Sequence, residues 1–243
     1  MNTLPLLENH HAPLILLGGT LCNARLWQQL VEQLNVSHVS CVTISGADCA
    51  NAVASLLLEV LPARFCLAGF SLGAMVALQM MALAPERIAG LALLSVNPLC
   101  DLPENAPVRR AAVAQAARAG LARWLTENLW VKYVAPHRLD DAALYNTIIQ
   151  MAKETGIDTF AQQTEIAISR TDRRSALAAF RSPTLILNGA YDVICTPQHH
   201  QAVAEAAPYA RWITLPDSGH FIPLEAPQLA AIAMRNWIQE SKA

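Results

Sequence analysis

Arg64-Phe65-Cys66-Leu67-Ala68-Gly69-Phe70-Ser71-Leu72-Gly73-Ala74 decides how this chain folds. Residues 64–70 form an apolar run of strand type and residues 72–83 a run of helix type, with Ser71 at the junction. A serine between a strand and a helix, with Gly69 and Gly73 two positions to either side, reads as a nucleophile elbow. So sharp a turn puts the serine in a strained, left-handed backbone, and side chains at the flanking positions would collide. The hydroxyl then stands at the sheet's edge, facing the partial positive charge of a helix N-terminus. The five letters G-x-S-x-G recur by chance, and a glycine–serine turn without chemistry produces the same string. The strand–turn–helix setting is what favours the functional reading.

Outward from the elbow, strand-like and helix-like runs alternate. Strands are expected at residues 13–17, 38–44, 65–70, 88–96, 184–188 and 211–215. Helices are expected at 24–34 (capped by Asn23), 50–61, 72–83, 198–207 and 228–239. Short strands interleaved with longer helices mean βαβ units: an α/β fold with a doubly wound, mostly parallel sheet and helices on both faces. Residues 101–181 break the alternation. They hold no convincing strand but several alanine-rich helical runs (108–119, 121–133, 142–154, 159–169 and 174–180), bracketed by prolines at 98, 103, 107 and 183. The expected organisation is a core of residues 1–100 and 182–243 carrying an inserted helical cap at 101–181; ordinary crossover helices are the alternative.

Composition narrows the function. The 243 residues suffice for one large α/β domain. A formal net charge of −2, with no basic run, leaves no electrostatic case for nucleic acid. Only 15% of residues are charged and 53% are hydrophobic, which points to a large buried fraction and an apolar pocket or partner surface. Residues 65–85 carry no charge and are long enough to mimic a membrane span. Gly69, Ser71, Gly73 and Gln79 interrupt that run, and a buried strand followed by a buried helix has the same hydropathy, so no membrane insertion is expected. The N-terminus shows no secretory signal pattern. The six cysteines lack metal-type spacing, Cys41 and Cys66 reading as small buried residues of core strands. A reduced, cytoplasmic environment is expected. No cofactor is expected either, since there is no dinucleotide fingerprint or P-loop. The pair His199-His200 is no metal site, because adjacent helical residues point to different sides.

A serine hydroxyl needs a base at neutral pH, and an imidazole needs a group that fixes its tautomer. Asp192 follows the strand at 184–188, and His220 follows the strand at 211–215. Strand C-termini line the site in doubly wound sheets, so Ser71, Asp192 and His220 are expected on one edge. Asp101, after the strand at 88–96, is an alternative acid, and Asp217 is expected to organise the histidine's loop. His10, His11, His38, His137, His199 and His200 have no nucleophile nearby in sequence.

The order Ser71, Asp192, His220 is that of the α/β-hydrolase fold superfamily, and the resemblance extends further. Leu187-Asn188-Gly189-Ala190-Tyr191-Asp192 resembles its strand-then-acid segment. Asp217-Ser218-Gly219-His220-Phe221-Ile222-Pro223-Leu224-Glu225-Ala226-Pro227 resembles its histidine segment. Ala84-Pro85-Glu86-Arg87-Ile88 resembles the link after the elbow helix, and Leu16-Leu17-Gly18-Gly19-Thr20, leading to Trp27, resembles its oxyanion loop. The resemblance implies a catalytic triad of Ser71, Asp192 and His220. It also implies an oxyanion hole made by the backbone N–H groups of Leu72 and of Thr20, with Leu21 the alternative to Thr20. The family often has His-Gly where this chain has Gly18-Gly19, so a side chain able to brace that loop is missing.

The implied activity is that of a carboxylesterase-like serine hydrolase, cleaving a small, apolar ester or thioester through an acyl-enzyme. An acyltransferase, a carbon–carbon bond hydrolase and a non-catalytic ligand receptor are the alternatives. The family includes a menaquinone-pathway synthase with an arginine shortly after its elbow; Met75 stands there in this chain and argues against the synthase reading. Trp124, Trp130, Tyr133, Tyr145 and Phe160 are candidates to roof the pocket or to pack the cap on the core. Arg109, Arg110, Arg118 and Arg123 are the cap's basic residues; an anionic substrate would want one of its arginines facing Ser71.

Overall fold

The computed structural model describes residues 12–241. His10, His11 and the N-terminal stretch read for a secretory signal lie outside the described residues.

Among the described residues, six parallel strands form one sheet: β1 (Leu14–Leu17), β2 (Val39–Val42), β3 (Phe65–Phe70), β4 (Ile88–Leu94), β5 (Thr184–Gly189) and β6 (Arg211–Leu215). Their order across it is β2-β1-β3-β4-β5-β6. The central strands β1, β3 and β4 are buried along their whole length, as a parallel sheet covered on both faces requires. Alternate residues feed opposite cores. Leu14, Leu16, Cys66, Ala68 and Phe70 face one side, which α1 (Gln28–Leu34) and α11 (Pro227–Glu240) cover. Ile15, Leu17, Phe65 and Leu67 face the other, beneath α2 (Ala50–Val60), α3 (Leu72–Leu83) and α10 (Pro197–Ala206).

The charge-free stretch that mimics a membrane span is thus β3 followed by α3, whose residues are buried nearly all round. Gln79, the polar interruption of α3, is fully engaged: its Oε1 accepts from Arg173 Nε at 2.8 Å and its Nε2 donates to Asn51. Among the described residues no helix is long and apolar enough to cross a membrane.

The side on which successive strands are added reverses at β1. After β1 the chain steps outward to β2, then crosses back to lay β3 on the other side of β1. The C-terminal ends of β1 and β3 therefore flank a switch point, where doubly wound sheets form their crevice. Gly18-Gly19-Thr20 leaves one of these strands and Ser71 the other.

Between β4 and β5 the described chain is helical: α4 (Asn105–Ala119), α5 (Leu121–Asn128), α6 (Trp130–Tyr133), α7 (Ala142–Thr155), α8 (Ile157–Ser169) and α9 (Arg174–Ala179). The helix expected at 121–133 breaks at Leu129. There the backbone departs from helix, Leu129 having φ −125°, while its N–H still closes onto the Leu125 carbonyl at 2.8 Å. The helix expected at 24–34 opens as a 3-10 turn, Ala24–Leu26, before α1; Asn23 caps it as read, its side chain accepting from Arg25 N–H at 3.0 Å. One burial expectation is corrected: Cys41 is exposed, because β2 is the sheet's edge strand, whereas Cys66 in β3 is buried.

Candidate active site

Ser71 sits between β3 and α3 with φ at 52° and ψ at −114°, the left-handed strain expected of it. A Cβ at Gly69 would run into the carbonyl of Gly73, and one at Gly73 into the carbonyl of Leu17. Those contacts, rather than a general preference for flexibility, require glycine at both positions.

His220 Nε2 lies 3.0 Å from Ser71 Oγ, and His220 Nδ1 lies 2.9 Å from Asp192 Oδ2. Asp192 is buried, yet its carboxyl is held below the ordinary range. Burial pushes it up, but the charge and hydrogen bond of His220 and the N–H groups of Cys195 and Ile194 outweigh that. Both N–H groups donate to Oδ1, at 2.8 and 2.9 Å. An ionised carboxylate only accepts, so Nδ1 carries the imidazole proton and Nε2 is left to accept from the serine hydroxyl.

The histidine's loop is held by contacts that the sequence did not reveal. Ser95, itself at φ 49°, donates from Oγ to the His220 carbonyl at 2.9 Å. The His220 N–H donates to the Tyr133 carbonyl at 3.0 Å. Glu225 Oε2 accepts from Gly219 N–H at 3.0 Å and Ala135 N–H at 2.8 Å, tying the loop to the segment after α6. Burial raises the Glu225 carboxyl above its usual range despite those donors. This corrects the role expected of Asp217, which is exposed and takes part in none of the described hydrogen bonds. The signal for Glu225 was present: a lone acid within the apolar run 221–227.

The alternative acid, Asp101, is elsewhere engaged. Its buried carboxylate pairs with Arg109 at 2.7 Å and Arg170 at 3.1 Å, not with His220. Of the other histidines, His200 is fully buried: Nδ1–H donates to the Thr196 carbonyl at 3.0 Å, and Nε2 accepts from Val96 N–H at 3.2 Å.

Ser71 and His220 open into a cavity of about 660 Å³, within the usual range for small-molecule sites. Phe70, Leu72, Met75 and Phe221 line it near the serine. Of the five aromatic candidates, Trp124, Tyr133 and Phe160 line it; Trp130 and Tyr145 instead pack edge to face, 5.1 Å between centroids. Arg109, Lys132 and Arg170 are its cationic lining, whereas Arg110 and Arg123 pair with Glu165 and Glu127. Thr20 and Leu72 both line the cavity, and none of the described hydrogen bonds uses either N–H. The Leu21 N–H is already taken by Gln163 Oε1, which favours Thr20 over Leu21 as the free donor. Asp192, Cys195 and His220 bring ligand-type atoms within 4.8 Å of one another, but there the carboxylate and imidazole are already hydrogen-bonded to each other.

A parallel sheet with a strained serine after a central strand, and an acid and a histidine after the two strands that end the sheet, defines a class of enzyme fold. Residues 47–227 match the model of the alpha/beta hydrolase fold, and the chain belongs to that family as an α/β-hydrolase enzyme. It is 28% identical over 186 residues to the dihydrolipoyllysine-residue acetyltransferase component of the acetoin cleaving system of Pseudomonas putida, over 74% of this chain and 47% of that protein. The chain thus spans about half the length of that relative. It is 26% identical over 236 residues to the pimeloyl-[acyl-carrier protein] methyl ester esterase of Edwardsiella ictaluri, covering 90% of this chain and 91% of the other. Among solved structures, a thermophilic esterase from Thermogutta terrifontis (malate bound) superposes with a TM-score of 0.84 at 24% identity, over 96% of this chain and 91% of that one.

Proposed function

We propose that this protein is a serine hydrolase that cleaves a small, largely apolar carboxylic ester or thioester through an acyl-enzyme. The observation that carries the reading is the hydrogen-bond chain from Ser71 Oγ through His220 to Asp192, opening into the cavity. Ser71 Oγ attacks the carbonyl carbon while its proton passes to His220 Nε2. The oxyanion formed is held by the N–H groups of Leu72 and Thr20. As the tetrahedral species collapses, the carbonyl–leaving-group bond breaks and the leaving group takes the proton from His220. Water, deprotonated by the same nitrogen, then attacks the acyl-serine; the acid departs and Ser71 recovers its proton. Asp192 orients the imidazole and stabilises its cation.

The helices between β4 and β5 act in this reading as a cap, roofing the site with Trp124, Tyr133, Phe160 and Leu129. The apolar residues beside Ser71 suit an apolar acyl group. Arg170 donates to the Leu99 and Ala167 carbonyls and pairs with Asp101, so its charge is not free to select an anion. The methyl ester esterase relative supports the same substrate class. The acetyltransferase relative supports a second reading, transfer of the acyl group to an acceptor other than water. A panel of p-nitrophenyl esters of graded acyl length, with and without added alcohol or amine, tests both. Hydrolysis by the wild type that falls about 10⁶-fold in Ser71→Ala is expected; undiminished turnover by that variant would refute the proposal, and an ester product formed with added alcohol would identify transfer.

A further inference from the structure

The loop that carries Thr20 begins with Gly18-Gly19, so those two positions offer no side chain to hold it, and Leu21 sits at φ 57°, a strained conformation for leucine. Each of the two peptide groups flanking Thr20 is nevertheless pinned. The Gly19 carbonyl accepts from Cys22 N–H at 3.2 Å. The next peptide is held at both ends: the Thr20 carbonyl accepts from Cys22 Sγ at 3.4 Å, and the Leu21 N–H donates to Gln163 Oε1 at 2.8 Å. Gln163 comes from α8, 142 residues away in sequence, and is fully buried although it is polar. Its Nε2 donates to the Ile44 carbonyl at 2.9 Å, so the amide spans the turns after β1 and β2. Its neighbour Gln162 accepts from Gly46 N–H at 3.1 Å, and Ser169 Oγ from Ala50 N–H at 2.9 Å, which fixes α8 over that second turn.

A trans peptide is planar, with N–H and C=O opposed. The Thr20 N–H shares its plane with the Gly19 carbonyl, so the Cys22 N–H sets its direction, and the hold of Gln163 on the next plane keeps Thr20's φ and ψ from turning the pair of peptides together. We propose that Gln163 is a positioning residue for the oxyanion hole, locking the Thr20–Leu21 peptide from the helical insertion so that Thr20 N–H stays directed at the reacting carbonyl oxygen. The inference rests on the ester-hydrolase reading and makes the insertion part of the site that stabilises the transition state. An N–H that must be reoriented during reaction is worth less than one held in place.

The test compares Gln163→Met, similar in length but without either hydrogen bond, and Gln163→Glu, which keeps an acceptor for Leu21. Turnover of a p-nitrophenyl ester and inhibition by a trifluoromethyl ketone, whose tetrahedral adduct puts an oxyanion in the hole, are measured for each. Gln163→Met is expected to lower kcat about 10- to 100-fold, less than the ~10²–10³ for a donor lost outright. It should weaken the ketone by a similar factor, leave KM within about threefold, and be partly rescued in Gln163→Glu. If Gln163→Met does not fold, Gln163→Asn, a methylene too short to span both partners, replaces it. Unchanged kcat and ketone affinity would overturn the proposal, as would a loss confined to KM. Hydrogen exchange at the amides of Thr20 and Leu21 reads the lock without turnover: faster exchange in Gln163→Met supports it and unchanged exchange overturns it. A wild type inert toward esters would instead defeat the ester-hydrolase reading itself.

Discussion

Replacing Asp192 by asparagine changes one atom pair, and its consequence can be worked from the hydrogen bonds around it. Oδ1 accepts from two backbone N–H groups, of Ile194 and Cys195, while Oδ2 faces His220 Nδ1 at 2.9 Å. An asparagine must keep its oxygen toward the two N–H donors, since turning its NH₂ there would set donor against donor twice. The NH₂ therefore faces Nδ1 and requires that nitrogen to accept, which moves the imidazole proton to Nε2. A protonated Nε2 in neutral His220 cannot take the serine proton. The expected loss is about 10⁴-fold in kcat, or about 5.4 kcal/mol at 1.36 kcal/mol per tenfold. The backbone contacts are preserved, so the thermal midpoint is expected to stay within a few degrees of wild type. The assay is steady-state hydrolysis of a p-nitrophenyl ester beside a thermal melt. Asp192→Asn turning over within tenfold of wild type, while folded, would refute the assignment of tautomer and of acid.

Gly73→Ala is expected to cost at least about 3 kcal/mol or to prevent folding, because its methyl would meet the Leu17 carbonyl in packed backbone; urea denaturation checks this. Burial pushes the His200 imidazole down to about 4. The unfolded chain protonates that residue near 6.5, so its contribution is complete above that pH and is lost as pH falls toward 4, by about 3 kcal/mol in total. Denaturation midpoints of wild type and His200→Gln between pH 7 and 4.5 test this, the variant lacking that part of the slope. Arg170→Met removes one of the two cations paired with the buried Asp101 and the donor to the Leu99 and Ala167 carbonyls; a loss of about 3 kcal/mol is expected in the same assay.

Much of this was legible in the chain itself, for physical reasons. Residues 65–70 and 72–83 could be read because a strand and helix buried on all sides must be apolar throughout, and a tight turn between them must be flanked by glycine. Asp192 and His220 were legible because parallel topology sends every strand's C-terminal end to one edge. What was not legible depends on partners distant in sequence. The exposure of Cys41 follows from strand order, which leaves β2 at the edge. The break at Leu129 has no glycine or proline to announce it. Gln163 looked like any helical glutamine until α8 came to lie across the turns after β1 and β2.

The central claim is that Ser71 is a nucleophile activated by His220. Reaction with a serine-directed fluorophosphonate, followed by intact-mass and peptide analysis, addresses it most directly. The account predicts one adduct per chain, on the peptide holding Ser71, absent in Ser71→Ala and formed far more slowly in His220→Ala. A wild type left unmodified, or labelled at another residue with Ser71 untouched, would contradict it.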